Sequence, residues 1–167
     1  MKPILQSALL STLLSALLVT GTANAEDVRI TVRFANPAWN GLVIPPGQQC
    51  SKLGGQGATP ALNVYDLPTG TAALLLEFSE RGGPLDEGGQ GVLLFNVMRG
   101  VTNAQLPSVP GQQPLPAGFQ LASSHRGEGA AGYLPPCNKG SRYVVIVKAL
   151  DTASKVLGKG RLDLGKL

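Results

Sequence analysis

The sequence contains few of the residues from which metal and redox sites are built. Its 167 residues include one histidine and two cysteines, and only 14% of them are charged. That set is too small for a zinc site, and no Cys-x-x-Cys spacing indicates a redox centre. The pair Asp86-Glu87 is too small a carboxylate cluster to indicate calcium. The sequence therefore predicts no metal and no other cofactor.

Aromatic residues and basic clusters are scarce as well. Four Phe, three Tyr and one Trp are scattered along the chain and predict no stacking platform for nucleic acid. Basic residues near the end of the chain are spaced apart, with Asp151 and Asp163 among them; they are Lys148, Lys155, Lys159, Arg161 and Lys166. We interpret them as a solvated basic surface and not as a nucleic-acid interface. A tail resting on anionic membrane lipids is the alternative.

The first 25 residues have the pattern of an export signal. Lys2 is their only charge, Ala8 to Val19 is a leucine-rich apolar core, and Ala23-Asn24-Ala25 is a small-x-small cleavage site. An uncleaved membrane anchor is the competing interpretation, but the apolar core is short for a membrane span. Cleavage after Ala25 predicts a single periplasmic or secreted domain, residues 26–167, that does not span a membrane.

Cys50 and Cys137 are the only cysteines. In an oxidising compartment an even pair is expected to be bonded, which predicts one disulfide between them. Two buried free thiols are the alternative.

Short apolar runs separated by Gly and Pro turns predict a mainly β domain of five to seven strands with little helix. Residues 28–34 alternate apolar and polar, and residues 143–147 are apolar on both faces, as in a buried central strand. The tail, residues 155–167, predicts either a short helix or a last strand. Residues 101–118 carry four prolines and predict an extended excursion outside the core. Further strands are predicted at 62–65, 71–78, 92–97 and 119–121.

His125 follows Ser123 and Ser124, but neighbouring side chains point apart and no Gly-x-Ser-x-Gly motif accompanies them. We therefore predict that the protein is not an enzyme. A hydrolase acting through His125 is the alternative.

Two groups of short motifs carry a family resemblance. Gly132-Tyr133-Leu134-Pro135-Pro136-Cys137, followed by Arg142-Tyr143 and Ala149-Leu150-Asp151, resembles a loop and strand of the phosphatidylethanolamine-binding proteins. The bacterial exported members called Raf-kinase-inhibitor-like are the most similar. Upstream, Cys50, Thr59-Pro60-Ala61-Leu62 and Leu67-Pro68-Thr69-Gly70-Thr71 match further markers in the same order.

The resemblance implies one domain of two packed antiparallel sheets with long Gly/Pro-rich loops and a shallow anion-binding pocket. It also places the two cysteines where exported members have theirs. The ligand-binding residues that it implies are Ser79, Glu80, Arg81, Tyr133, Ser141, Arg142 and Tyr143.

The sequence departs from the family at this pocket. Ser79 to Pro84 replaces an acidic loop, the first pocket histidine falls near Gly91, and Ser141 replaces the second. The resemblance thus implies an exported binding protein whose pocket for a small anionic ligand or phospholipid headgroup is degenerate. An inhibitor of other proteins, or an envelope interaction protein that uses its Pro/Gly-rich loops, is the second hypothesis.

Overall fold

The structure is a computed structural model that describes residues 28–111, 114–127 and 132–167. The predicted signal peptide and its cleavage site lie outside these residues. The described residues form two sheets, of order β1-β9-β8-β4-β5-β7 and β2-β3-β6. The strands are β1 (Val28–Arg29), β2 (Thr31–Phe34), β3 (Leu62–Tyr65), β4 (Ala73–Glu80), β5 (Gly91–Asn96), β6 (Ala104–Leu106), β7 (Phe119–Ser123), β8 (Arg142–Leu150) and β9 (Val156–Lys166).

The core lies between the two sheets. On β8 the inward residues Tyr143, Val145 and Val147 are at most 1% exposed, and on the small sheet Leu62 and Val64 are equally buried. Burying a side chain of this size contributes about 1.5–3 kcal/mol, so the central strands hold the sandwich together. The predicted mainly β class with two packed sheets is confirmed.

The first strand differs from the prediction. Instead of one continuous strand over 28–34, the chain forms β1 and β2, which belong to different sheets and meet at Ile30. Val28 is consequently 51% exposed, although its period-two position predicted burial. The pairing of β1 with β9 is parallel, while the other strand pairs are antiparallel.

The tail forms β9, so the strand alternative is the correct one. Gly158 and Gly160 are required because the segment from Val28 to Ile30 passes close to them: a Cβ on Gly160 would lie 2.7 Å from the Ile30 carbonyl oxygen. A helix would lose these contacts and the long pairing with β8.

The expectation that 101–118 stays outside the core is wrong for part of this segment. β6 pairs with β3, and Leu106 and Val109 are 3% and 0% exposed. The Val109 amide also donates to Thr59 Oγ1 at 2.9 Å. The prolines predicted a poorly hydrogen-bonded segment, but β6 and Val109 are hydrogen-bonded to distant parts of the chain. This weakens the hypothesis that this Pro-rich segment is a free contact surface for other proteins.

Cys50 and Cys137 form the predicted disulfide, with their Cα atoms 5.2 Å apart. The Cys50 amide donates to the Pro136 carbonyl at 2.8 Å, so the two segments are also joined by their backbones. Within the described ranges, no helix is both long and apolar enough to cross a bilayer.

We expect reduction of this disulfide to destabilise the protein substantially. The bridge closes a loop across 87 positions, which corresponds to about 4–5 kcal/mol in the chain-entropy model. Urea unfolding of the oxidised protein, the reduced protein and the Cys50→Ser/Cys137→Ser variant measures the difference. The reduced protein and the double variant should agree; equal stability of all three would contradict the prediction.

Candidate functional site

The predicted pocket residues Glu80, Ser141 and Tyr143 lie together at one end of the large sheet. Glu80 and Tyr143 are directly opposite in the pairing of β4 with β8, so both side chains face inward. The Glu80 carboxylate is largely buried, and Ser141 Oγ donates to it at 2.7 Å. Asn138 Nδ2 donates to both carboxylate oxygens, at 2.9 and 2.7 Å. Glu80 thus has the partners that a buried acid requires.

Tyr143 closes the same cluster. Its hydroxyl accepts from the Asn138 amide at 3.0 Å and lies 3.1 Å from the Asn138 carbonyl, to which it donates. Burial raises the pKa of Tyr143, and the neighbouring Glu80 carboxylate raises it further, while the contact with the Asn138 backbone lowers it. The net direction is upward, so Tyr143 is a neutral donor at pH 7. The polar groups at the position of the implied pocket are therefore already hydrogen-bonded to one another.

The other predicted residues of β4 and β8 do not join this cluster. Ser79 and Arg142 point to the opposite face of the sheet, since neighbours along a strand alternate. Ser79 Oγ accepts from the Gly88 amide at 2.8 Å. Arg81 pairs with Asp86 at 3.2 Å. The structure therefore gives no fork of Arg81 and Arg142 around one anion.

Asp86 takes the place that an external anion would have in the loop between β4 and β5. Its carboxylate accepts from the Gly82 amide at 3.0 Å and from the Glu87 amide at 2.9 Å, besides the pair with Arg81. These contacts, the Gly82 amide first, hold the pKa of Asp86 below its usual value against the opposing effect of burial. Two amides of this loop, those of Gly82 and Glu87, thus already donate to the Asp86 carboxylate.

Gly91, where the family's first histidine falls, has no space for a side chain. A Cβ there would lie 2.7 Å from the Gly132 carbonyl oxygen, and the residue has a φ of 118°. A left-handed backbone of this kind favours glycine. The backbone at position 91 therefore does not accommodate a histidine side chain.

Tyr133 lies beside this cluster and connects it to an open groove. Its ring packs edge-on against Phe78, with centroids 4.9 Å apart, and burial raises the pKa of its phenol, with a smaller effect from Tyr143. The groove has a volume of about 820 Å³, within the range of small-ligand sites. Its lining residues are Cys50, Ser51, Lys52, Gly54, Gly55, Gln56, Gly57, Pro110, Gly111, His125, Tyr133, Leu134 and Pro135.

Two of these lining residues carry buried polar atoms without a hydrogen-bond partner. They are the Tyr133 hydroxyl and His125 Nδ1. Nearby, Gln90 donates from its amide to the Leu134 carbonyl at 3.2 Å, but its Oε1 has no partner. A buried polar atom without a partner costs about 1–3 kcal/mol, so these atoms mark where a polar group of a ligand would be stabilised.

The glycine amides of the groove are not available to a ligand. The amides of Gly54, Gly55, Gln56 and Gly57 donate to the carbonyls of Ser51, Cys50, Gly47 and Gln49. These four amides therefore offer no hydrogen bond to a ligand. The described lining residues include no acidic residue, so none of them would repel an anionic group.

The structure gives no support to catalysis by His125. Ser123 Oγ donates to the Ser124 carbonyl at 3.4 Å and not to the imidazole. Within the described ranges, no three His, Cys, Asp or Glu side chains are grouped closely enough to hold a metal ion.

No protein-family model matches the chain, and no curated protein matches it either. Solved structures do match. One is the crystal structure of a protein described as a phosphatidylethanolamine-binding protein homolog, from Chlamydia trachomatis, with 21% identity and a TM-score of 0.51. The match covers 81% of this chain and 95% of that one. The chain therefore has the fold of that protein, and the predicted resemblance is confirmed at the level of the fold.

Asn138 and Gln90 are the site residues that the sequence analysis missed. Asn138 lies between two residues of the predicted motifs, Cys137 and Arg142, but nothing in its sequence context indicates that it binds Glu80. Gln90 is 1% exposed, which a glycine-rich context does not predict.

We expect Asn138→Ala to lower the free energy of unfolding by about 1–2 kcal/mol, because Glu80 loses its most extensive donor. Urea unfolding at pH 7 measures the loss. Lys139→Ala is the matched control, since Lys139 is exposed and should change stability by less than about 0.5 kcal/mol. Equal effects of the two substitutions would show that the Asn138 contacts contribute nothing.

The stability given by Asp86 should depend on pH. Because the folded pKa is lowered, the contribution is present above the unfolded value, about 3.9, and is lost as pH falls through the folded value. We expect Asp86→Asn to cost about 1 kcal/mol at pH 7 and progressively less below about pH 4. Unfolding at a series of pH values tests this; a difference that grows in acid would contradict it.

Proposed function

We propose that this protein is an exported, non-enzymatic binding protein that takes a small ligand in the groove beside Tyr133. The proposal rests on the observation that two residues of this groove, Tyr133 and His125, have buried polar atoms without hydrogen-bond partners. Such atoms are stabilised when a ligand supplies the missing hydrogen bonds. The disulfide, which is typical of oxidising compartments, supports the export.

The chemistry of the groove supports a ligand with an anionic oxygen group, a phosphate monoester or a carboxylate. Tyr133 keeps its proton because burial raises its pKa, so its hydroxyl is a donor for such an oxygen. The described lining residues include no carboxylate that would repel such a group. Leu134, Pro135 and Pro110 offer apolar contacts to the remainder of the ligand.

The pocket that the family resemblance implies is a poorer location for the same ligand. Glu80 is an acid, and its donors Asn138 and Ser141 are already used. An incoming anion would be repelled there and would find no free donor. This supports a binding site in the groove beside Tyr133, which no residue of the Glu80 cluster lines.

Tyr133→Phe should have opposite effects on stability and binding. Removing the unpartnered hydroxyl should raise the free energy of unfolding by up to about 1 kcal/mol, whereas ligand affinity should fall by roughly five- to tenfold. The measurements are urea unfolding without ligand, and calorimetric titration with inorganic phosphate, phosphoethanolamine and acetate.

Tyr143→Phe is the control, since it removes the same atom from a hydroxyl that is already bonded. It should destabilise the protein by about 1 kcal/mol and leave the affinity unchanged. An affinity loss in Tyr143→Phe, with none in Tyr133→Phe, would place the ligand in the Glu80 pocket. Binding of none of the three probes would count against an anionic ligand.

A further inference from the structure

The basic residues that are spread along the sequence are gathered by the fold onto one face of the large sheet. Residues paired across a sheet have side chains on the same face. Arg142, Val144, Ile146 and Lys148 alternate with the inward residues of β8, so they lie on the outer face. The pairings of β8 then show which residues of β1, β4 and β9 share that face.

Two rows of this outer face are mainly basic. In one, Arg29 pairs with Lys159 and Lys159 with Lys148. In the other, Arg142 pairs with Lys166, and Lys166 with Val43. These rows lie at the two ends of the same three-stranded region.

Between them lie the remaining charges of the face. Arg161 pairs with Ile146, which pairs with Glu77, and Asp163 pairs with Val144. Glu77 forms an ion pair with Lys148 at 2.6 Å, and Asp163 with Arg161 at 2.7 Å. Among the described residues of this face the carboxylates are Glu77 and Asp163, and even with Lys159 left out of the count there are five basic groups, so a positive excess remains.

The basic residues at the two ends of this face are exposed, apart from the half-buried Lys148. Val144 and Ser79, in the middle of the face, are 0% and 2% exposed, so the face is covered there and open at its basic ends. None of its residues lines the groove beside Tyr133. Neighbouring strands are about 4.8 Å apart, so the charges within each basic row lie within about one Debye length of one another at physiological salt. The two rows stand at opposite ends of β8, about 20 Å apart. Each row therefore acts as one cluster on an external charge.

We propose that this face, formed by Arg29, Arg142, Lys148, Lys159, Arg161 and Lys166, docks on an anionic lipid bilayer. Its charges are carried by long side chains on a sheet surface that has no pocket. Such a surface recognises the charge of a partner and not its shape. The phosphates of a bilayer are mobile and can follow such an array. Val43, 59% exposed at the end of the Arg142 row, offers an apolar contact at the rim.

The test is sedimentation of residues 26–167 with vesicles of phosphatidylcholine alone and of phosphatidylcholine mixed with phosphatidylglycerol. This segment contains every described residue and omits the apolar leader, which would itself bind lipid. The protein should bind the anionic vesicles, bind the neutral ones far less, and be released by salt. Each basic residue near such a surface contributes about fivefold to partitioning.

Arg142→Gln/Lys166→Gln should therefore weaken binding to anionic vesicles on the order of 30-fold. Arg33→Gln/Arg99→Gln is the matched control: it removes the same charge from exposed residues outside this face and should change binding little. Thermal unfolding of both variants verifies that they are folded.

Equal losses in the two variants, equal binding to both kinds of vesicle, or no binding to anionic vesicles would overturn the proposal. Polyglutamate is a further arm. Binding of polyglutamate without binding of vesicles would also overturn it and would indicate an acidic protein as the partner. These outcomes are independent of whether the Tyr133 groove binds a ligand.

Discussion

The pairing of β4 with β8 is the interaction on which the rest of the structure depends. These two strands are the centre of the large sheet and are paired from Ala73 with Leu150 to Glu80 with Tyr143. On the inner face this register sets Phe78 and Val145 in the core and Glu80 beside Tyr143. On the outer face it sets Lys148 and Arg142 at the two ends of the basic region. A slip of one residue would exchange the two faces, and both the core and the site would be lost.

Most of the fold could be predicted from the sequence because its signals are local. The apolar run 143–147 and the turn at 66–70 define β8 and the end of β3 without knowledge of their partners. The division at Ile30 and the pairing of β6 could not be predicted, since both depend on contacts with β9 and β3 that are distant in sequence. These elements are therefore determined by contacts between distant parts of the chain and not by the local sequence.

The site could be predicted only in part, for the same reason. The resemblance implied all of the pocket residues together. Glu80, Ser141 and Tyr143 do lie together, whereas Ser79, Arg81 and Arg142 do not join them. Strand alternation sends Ser79 and Arg142 to the other face, and Arg81 is held by Asp86. The basic face could not be predicted at all. Its residues are scattered along the sequence, because a surface assembled from different strands leaves no contiguous signal.

The differences from the pocket that the family resemblance implies depend on one another. With glycine at position 91, the Gly132 backbone closes over the space that a side chain would fill. With serine at position 141, the Glu80 carboxylate has a short donor and leaves room for Asn138 to reach it. Ser141→His alone would place an imidazole where Asn138 now binds and would still lack the first histidine. Single substitutions would therefore not build an anion site at Glu80. Among the described residues, the buried side-chain polar atoms without partners are those of Tyr133, His125 and Gln90, and Tyr133 and His125 line the groove.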